Sequence, residues 1–139
     1  HMRLFPDVPS TLERLREAGY WLSVATGKGR SGLNQAIAQT GTGDFWLATA
    51  CASECPSKPA PDMVWRLCDE LGVMPSESIV IGDTAFDLEM AAHAGARGIG
   101  VTTGAHSRET LQSAPNIGIL SCFGELEGFL QRQGSIEAV

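Results

Sequence analysis

Two carboxylates, Asp83 and Asp87, stand four residues apart just beyond the apolar run Ile79-Val80-Ile81-Gly82. Three β-branched residues running into a glycine read as a buried strand that ends in a tight turn. Thr84 then reads as the N-cap of a helix spanning Leu88 to Ala94, with Gly95 as its stop. Two carboxylates facing one point repel each other, and a bound Mg²⁺ relieves that repulsion, so Asp83 and Asp87 are candidate metal ligands. A helix N-terminus beside them suits a phosphate. Two other stretches could serve the same anion. Thr26-Gly27 offers a hydroxyl and the backbone N–H groups after a glycine. Lys58, in Ser57-Lys58-Pro59-Ala60-Pro61-Asp62, offers a positive charge on rigid backbone. Each has a plain structural reading as well: a capping acid and a solvated acid, a strand-ending turn, and a surface lysine. Lys28 and Arg30 read as solvated.

The elements that would position these residues alternate along the chain. A first helix buries Val8, Leu12, Leu15 and Ala18 on one face and stops at Gly19. Tyr20 to Ala25 is strand-like and runs into the Thr26-Gly27 loop; a helix from Ser31 to Gln39 follows, and then a strand from Phe45 to Ala50. Pro61 opens a helix with Met63, Val64, Leu67, Cys68 and Leu71 on its apolar side. After the strand and helix around Asp83 come a strand at Gly98–Val101, a helix at Arg108–Ser113, a strand at Ile117–Leu120 and a helix at Phe123–Gln133, with a frayed tail beyond Gly134. Strands alternating with helices through short connections predict a three-layer α/β/α sandwich on a mostly parallel, Rossmann-like sheet. Ligands of such sheets bind beyond the carboxyl ends of the strands, where the Thr26, Lys58 and Asp83 loops lie.

Composition narrows the partners. The 139 residues are one domain's worth of chain, and ten Lys and Arg against sixteen Asp and Glu give a net charge of −6 with no basic run. A nucleic-acid footprint is therefore not expected. No membrane-length apolar stretch or apolar leader is present, which predicts a cytoplasmic protein that does not engage membranes. Cys51 and Cys55 have loose ligand spacing without a second Cys or His pair, so the four cysteines read as reduced thiols.

Taken in order, the three loops resemble the motifs of the haloacid dehalogenase-like superfamily of phosphatases, in its phosphoglycolate phosphatase-like branch. Val24-Ala25-Thr26-Gly27-Lys28 resembles its second motif, Lys58-Pro59-Ala60-Pro61-Asp62 its third, and Ile81-Gly82-Asp83-Thr84-Ala85-Phe86-Asp87 its fourth. Leu4-Phe5-Pro6-Asp7-Val8 resembles the re-entry from a helical cap into the core. The resemblance implies Mg²⁺-dependent hydrolysis of a small phosphorylated metabolite through an aspartyl-phosphate. Thr26 and Gly27 would bind the phosphoryl group, and Lys58 would neutralise nucleophile and phosphate. Asp83 would bind the metal, and Asp87 would support its shell.

The first motif, an apolar strand followed by Asp-x-Asp-Gly-Thr, has no counterpart, for no Asp-x-Asp occurs in the chain. By resemblance, residues 1–139 are then the C-terminal part of one core domain, without a cap and without the central strand that supplies nucleophile and general acid. Such a chain is expected to bind Mg²⁺ weakly and to be catalytically incompetent alone. The strands ending at Ala25 and Ile81 would flank the missing strand. They are expected either to pair directly or to leave open edges through which two chains dimerise. The alternative function is a non-catalytic binding or self-association module of the same fold. A phosphomutase of this fold is a rival within enzymes, and a Rossmann-type nucleotide binder is a more distant one.

Overall fold

The computed structural model describes residues 7–104 and 106–133. The cap re-entry at Leu4-Phe5-Pro6 and the tail after Gly134 lie outside the described residues. The order is α1 (Asp7–Glu17), β1 (Leu22–Thr26), α2 (Arg30–Thr40), β2 (Trp46–Cys51), α3 (Asp62–Leu71), β3 (Ile79–Gly82), α4 (Ala85–Ala94), β4 (Arg97–Val101), α5 (Arg108–Gln112), β5 (Gly118–Leu120) and α6 (Leu126–Arg132). This is the alternating α/β chain that the hydrophobic periodicity predicts.

α1 differs in one detail from its sequence pattern. Leu12 and Leu15 are buried as expected, and Thr11 joins them, but the helix ends at Glu17 and Ala18 is exposed. The backbone reverses at Gly19, whose φ of 95° lies in the left-handed region, while the Tyr20 N–H returns to the Leu15 carbonyl. The final helix also starts later than its pattern suggests, because a 3₁₀ turn at Phe123–Glu125 precedes α6.

All strand pairs are parallel, but they form two sheets. β1 pairs with β2, Val24 opposite Thr49 and Ala25 opposite Ala50. β3 pairs with β4, Ile81 opposite Ile99, and β4 with β5, Gly100 opposite Ile119. The expectation that β1 and β3 close the sheet by pairing with each other is not met: β1 bonds β2 alone, and β3 bonds β4 alone. Helices packed on both faces hold the two sheets in place. On one face Leu12 and Leu15 of α1 with Leu126 and Leu130 of α6 contact Leu22 of β1 and Ile79 of β3 in one cluster. On the other, Met63, Val64 and Leu67 of α3 join Ala48 and Ala50 of β2 to Met90 and Ala94 of α4.

Between the sheets runs a slot of about 490 Å³, walled by Ser23–Ala25 of β1 and Ile79–Gly82 of β3 and faced by Leu12, Leu126, Leu67 and Met90. Its effect shows in burial. β4, with a neighbour on each side, buries Gly98 through Val101, whereas β1 and β3 bury only their first residues and leave Val24, Val80 and Ile81 half-exposed. A strand open along one edge keeps its inward side chains partly in water and leaves a row of backbone donors and acceptors without ladder partners.

Candidate active site

One end of the slot is lined by Lys58, Gly82, Asp83, Asp87 and Thr103. Ala25 lines it too, which puts the start of the Thr26-Gly27 turn at its rim. Lys58 and the Asp83 loop therefore come to one opening with Thr26 and Gly27 just beyond its lining, but the two aspartates play different parts there.

Asp87 is buried and fully engaged. Its Oδ1 lies 2.6 Å from Lys58 Nζ. Its Oδ2 accepts the Thr84 N–H at 3.2 Å and the Thr84 hydroxyl at 2.9 Å, while Thr84 Oγ1 accepts the Asp87 N–H at 3.3 Å. This reciprocal cap occupies two of the four orphan positions at the start of α4 and adds a lysine to it. Asp83, one residue beyond β3, is exposed, and among the described residues no hydrogen bond or ion pair engages its carboxylate. The two candidate carboxylates are thus one presented acid and one buried acid that anchors Lys58. No group of three acids, cysteines or histidines able to hold a metal occurs among the described residues.

Gly82 makes this approach feasible. A Cβ there would overlap the Asp87 Cβ and lie 2.6 Å from its Oδ2, so α4 could not seat its first turn against β3. Thr26 Oγ1 accepts the Lys28 N–H at 3.2 Å, the turn of the plain reading. That bond uses an oxygen lone pair and leaves the hydroxyl hydrogen to donate to an anion.

Sequence reasoning passed over three contacts. Arg30 is partly exposed but not free: its guanidinium makes two bonds to Glu54 at 2.7 and 3.2 Å and one to Thr49 Oγ1 at 2.8 Å, and its backbone N–H donates to Ser53 Oγ. His93 Nδ1 donates to the Pro59 carbonyl at 2.9 Å, tying the Lys58 loop to the end of α4. His106 touches the Asp83 turn, as described below. None of these had a sequence signal, because every partner lies nineteen or more residues away. A spacing that sequence reasoning also missed is Gly27-Lys28-Gly29-Arg30-Ser31-Gly32, which follows β1 and opens α2 in Gly-x-Gly-x-x-Gly order. The structure does not favour a dinucleotide there. Ser53 already takes the first helical N–H, and Glu54, an acid beyond β2 of the kind that would meet a ribose, is bound to Arg30.

The Arg30–Glu54 clamp predicts an acid-side effect. The Arg30 hydrogen bond, against an opposing desolvation, holds Glu54 below the ordinary glutamate range. As pH falls, the unfolded chain takes up this proton first, so the clamp's contribution is complete above the ordinary range and is lost as pH drops through the lowered folded value. The urea midpoint is expected to fall more steeply between about pH 5 and pH 3 in the unaltered chain than in Glu54→Gln. Parallel slopes would contradict the clamp.

Comparison with known proteins settles the family. The model of the haloacid dehalogenase-like hydrolases matches residues 1–123. The chain belongs to that family. It is 32% identical over 126 residues to "Probable phosphatase IndB" of Dickeya dadantii, covering 90% of this chain and 55% of that protein. It is 33% identical over 103 residues to a phosphoglycolate phosphatase of Haemophilus influenzae, covering 73% of this chain and 46% of that protein. The crystal structure of a predicted phosphoglycolate phosphatase from Haemophilus somnus superposes with a TM-score of 0.86 at 27% identity, over 93% of this chain and 58% of that one. The chain thus spans about half the length of the curated relatives it matches, and the two named here are called phosphatases. No helix among the described residues is long and apolar enough to cross a membrane.

Proposed function

We propose that this chain is the phosphate- and Mg²⁺-binding part of a phosphomonoesterase core whose nucleophile arrives on an apolar strand that enters the slot between β1 and β3. The observation that carries the reading is the position of Lys58, Asp83 and Asp87 at the end of that slot. A strand laid between two parallel edges would present the residues after its last apolar position to Lys58 and Asp83. Helices cover both faces of the slot, so the strand would be apolar on both sides.

The residues present fit a magnesium site of the sparse kind. Mg²⁺ is held by one or two carboxylates together with phosphate and water, and Asp83 offers one presented carboxylate. Asp83 would hold the ion; Asp87, committed to Lys58 and Thr84, would act on it only by fixing the loop. When bound, Mg²⁺ would neutralise charge on the phosphoryl oxygens. Lys58 would place a fixed positive charge beside the incoming carboxylate and phosphate, and Asp87 holds its ammonium in place. The Thr26 hydroxyl and the N–H groups of the turn after it would bind the remaining oxygens. Nothing in the chain supplies the nucleophile or the general acid, so it would not turn over alone. The substrate would be a small phosphorylated metabolite such as the phosphoglycolate of the named relatives.

The test combines the chain with an N-terminal fragment that carries an Asp-x-Asp-Gly-Thr strand and measures Mg²⁺-dependent phosphate release, with Asp83→Asn as control. Activity from the chain alone would overturn this reading. The open edges also favour a second reading, a self-association module. A stable dimer by sedimentation, with no activity on complementation, would support it instead.

A further inference from the structure

The turn that presents Asp83 is held from outside by the segment after β4. The His106 backbone N–H donates to the Asp83 carbonyl at 3.3 Å, and the His106 ring Nδ1 takes the Ala85 N–H at 2.9 Å. Ala85 is the first residue of α4, whose opening N–H groups have no partner within the helix. Thr84 takes the Asp87 N–H, and His106 takes the Ala85 one. An N–H donor requires an unprotonated acceptor, so Nδ1 is bare and the ring hydrogen sits on Nε2. The half-exposed Phe86 ring packs on the imidazole, centroids 5.8 Å apart at 59°, and limits its rotation. Gly104 completes the wall, for a Cβ there would overlap the Asp83 carboxylate itself.

We propose that His106 is a positioning residue for Asp83: by bridging the Asp83 carbonyl and the Ala85 amide it clamps the turn against Gly104 and leaves the carboxylate a single orientation, toward the slot. The proposal deepens the reading of Asp83 as the metal-binding acid and rests on it only for its second readout. A bare cap on α4 would predict something else, namely a loss of stability on removal of His106 with the Asp83 side chain unchanged.

The first readout needs no metal. In the unaltered chain, the ¹⁵N resonances of the His106 ring are expected to show Nδ1 bare and Nε2 protonated, and three-bond couplings are expected to show one Asp83 χ1 rotamer. His106→Asn keeps an acceptor for the Ala85 N–H and is expected to retain that rotamer. His106→Leu, which keeps bulk against Phe86, is expected to give averaged couplings. An Nδ1-protonated ring, or a single Asp83 rotamer in folded His106→Leu, would overturn the proposal. If His106→Leu does not fold, Gly104→Ala provides the decision, since an unchanged Asp83 rotamer there would equally overturn it. The second readout is the Mg²⁺ dependence of the Asp83 amide shift. His106→Leu is expected to weaken it roughly tenfold, and His106→Asn to stay within about threefold. If Asp83→Asn leaves the Mg²⁺ shifts intact, the metal reading of Asp83 fails, while the couplings still decide the role of His106.

Discussion

Phosphate release from a phosphomonoester is expected to rise roughly 10⁴-fold when the chain is complemented by an Asp-x-Asp strand, because a positioned general acid alone contributes about 10²–10⁴-fold. The nucleophile adds to that by dividing the displacement into two easier steps. Lys58 is already fixed by Asp87 at 2.6 Å and Asp83 is already presented at the slot. Three controls sort the outcomes. Asp83→Asn in the complemented complex is expected to return the rate to background, as is an added strand with both aspartates changed to asparagine. That asparagine strand should nevertheless bind, since its apolar positions and backbone ladder are unchanged. Its binding has a separate signature: a ligand at a hundred times its Kd stabilises the folded state by about 2.7 kcal/mol. A rise in unfolding midpoint with both strands, and activity with one, is the pattern expected. No rise with either would mean that the slot does not accept a strand.

Gly82→Ala is expected to be the most damaging single methyl group at the site, destabilising by about 3 kcal/mol, the upper end of ordinary overpacking. The new Cβ would overlap Asp87, whose carboxylate cannot retreat without breaking its bonds to Lys58 and Thr84. Nor can α4 back away without pulling its own fully buried Leu88 and Met90 out of their packing. Displacing Asp87 would also leave Lys58, whose side chain is only 22% exposed, without its counter-charge. Gly27→Ala is the matched control, since a Cβ there meets nothing within 4 Å and its backbone is not left-handed. Its urea midpoint is expected to stay within about 0.5 kcal/mol of the unaltered chain. Equal costs at the two glycines would contradict this account of the close approach of β3 and α4.

Much of this was legible in the chain. Ile79-Val80-Ile81-Gly82 reads as a short strand with a turn at its end, which forms although only Ile79 is buried, and Thr84 three residues before Asp87 wrote out the cap that forms. Local signals of this kind survive because neighbours in sequence make the contacts. The same locality explains what was not legible. The ion pair that sets Asp87 apart from Asp83 has no sequence signal, because Lys58, twenty-nine residues before Asp87, arrives on a different loop and takes it. Arg30 looked solvated because Glu54 reaches it only across the β1–β2 pair. His93 and His106 carry no local signal, because Pro59 and Ala85, their partners, come near only when the loops close over the strand ends.

By itself the sequence determined the alternation of strand and helix, the family, and the absence of an Asp-x-Asp pair within the chain. The last fact predicts an interrupted sheet but not how the interruption is accommodated. Only the tertiary structure decided that β1 and β3 stay unpaired. Their separation is governed by α1 and α6 on one face and α3 and α4 on the other, whose side chains pack across both sheets at once. Packing of that kind depends on the shapes of residues far apart in the chain, and no periodicity or spacing records it.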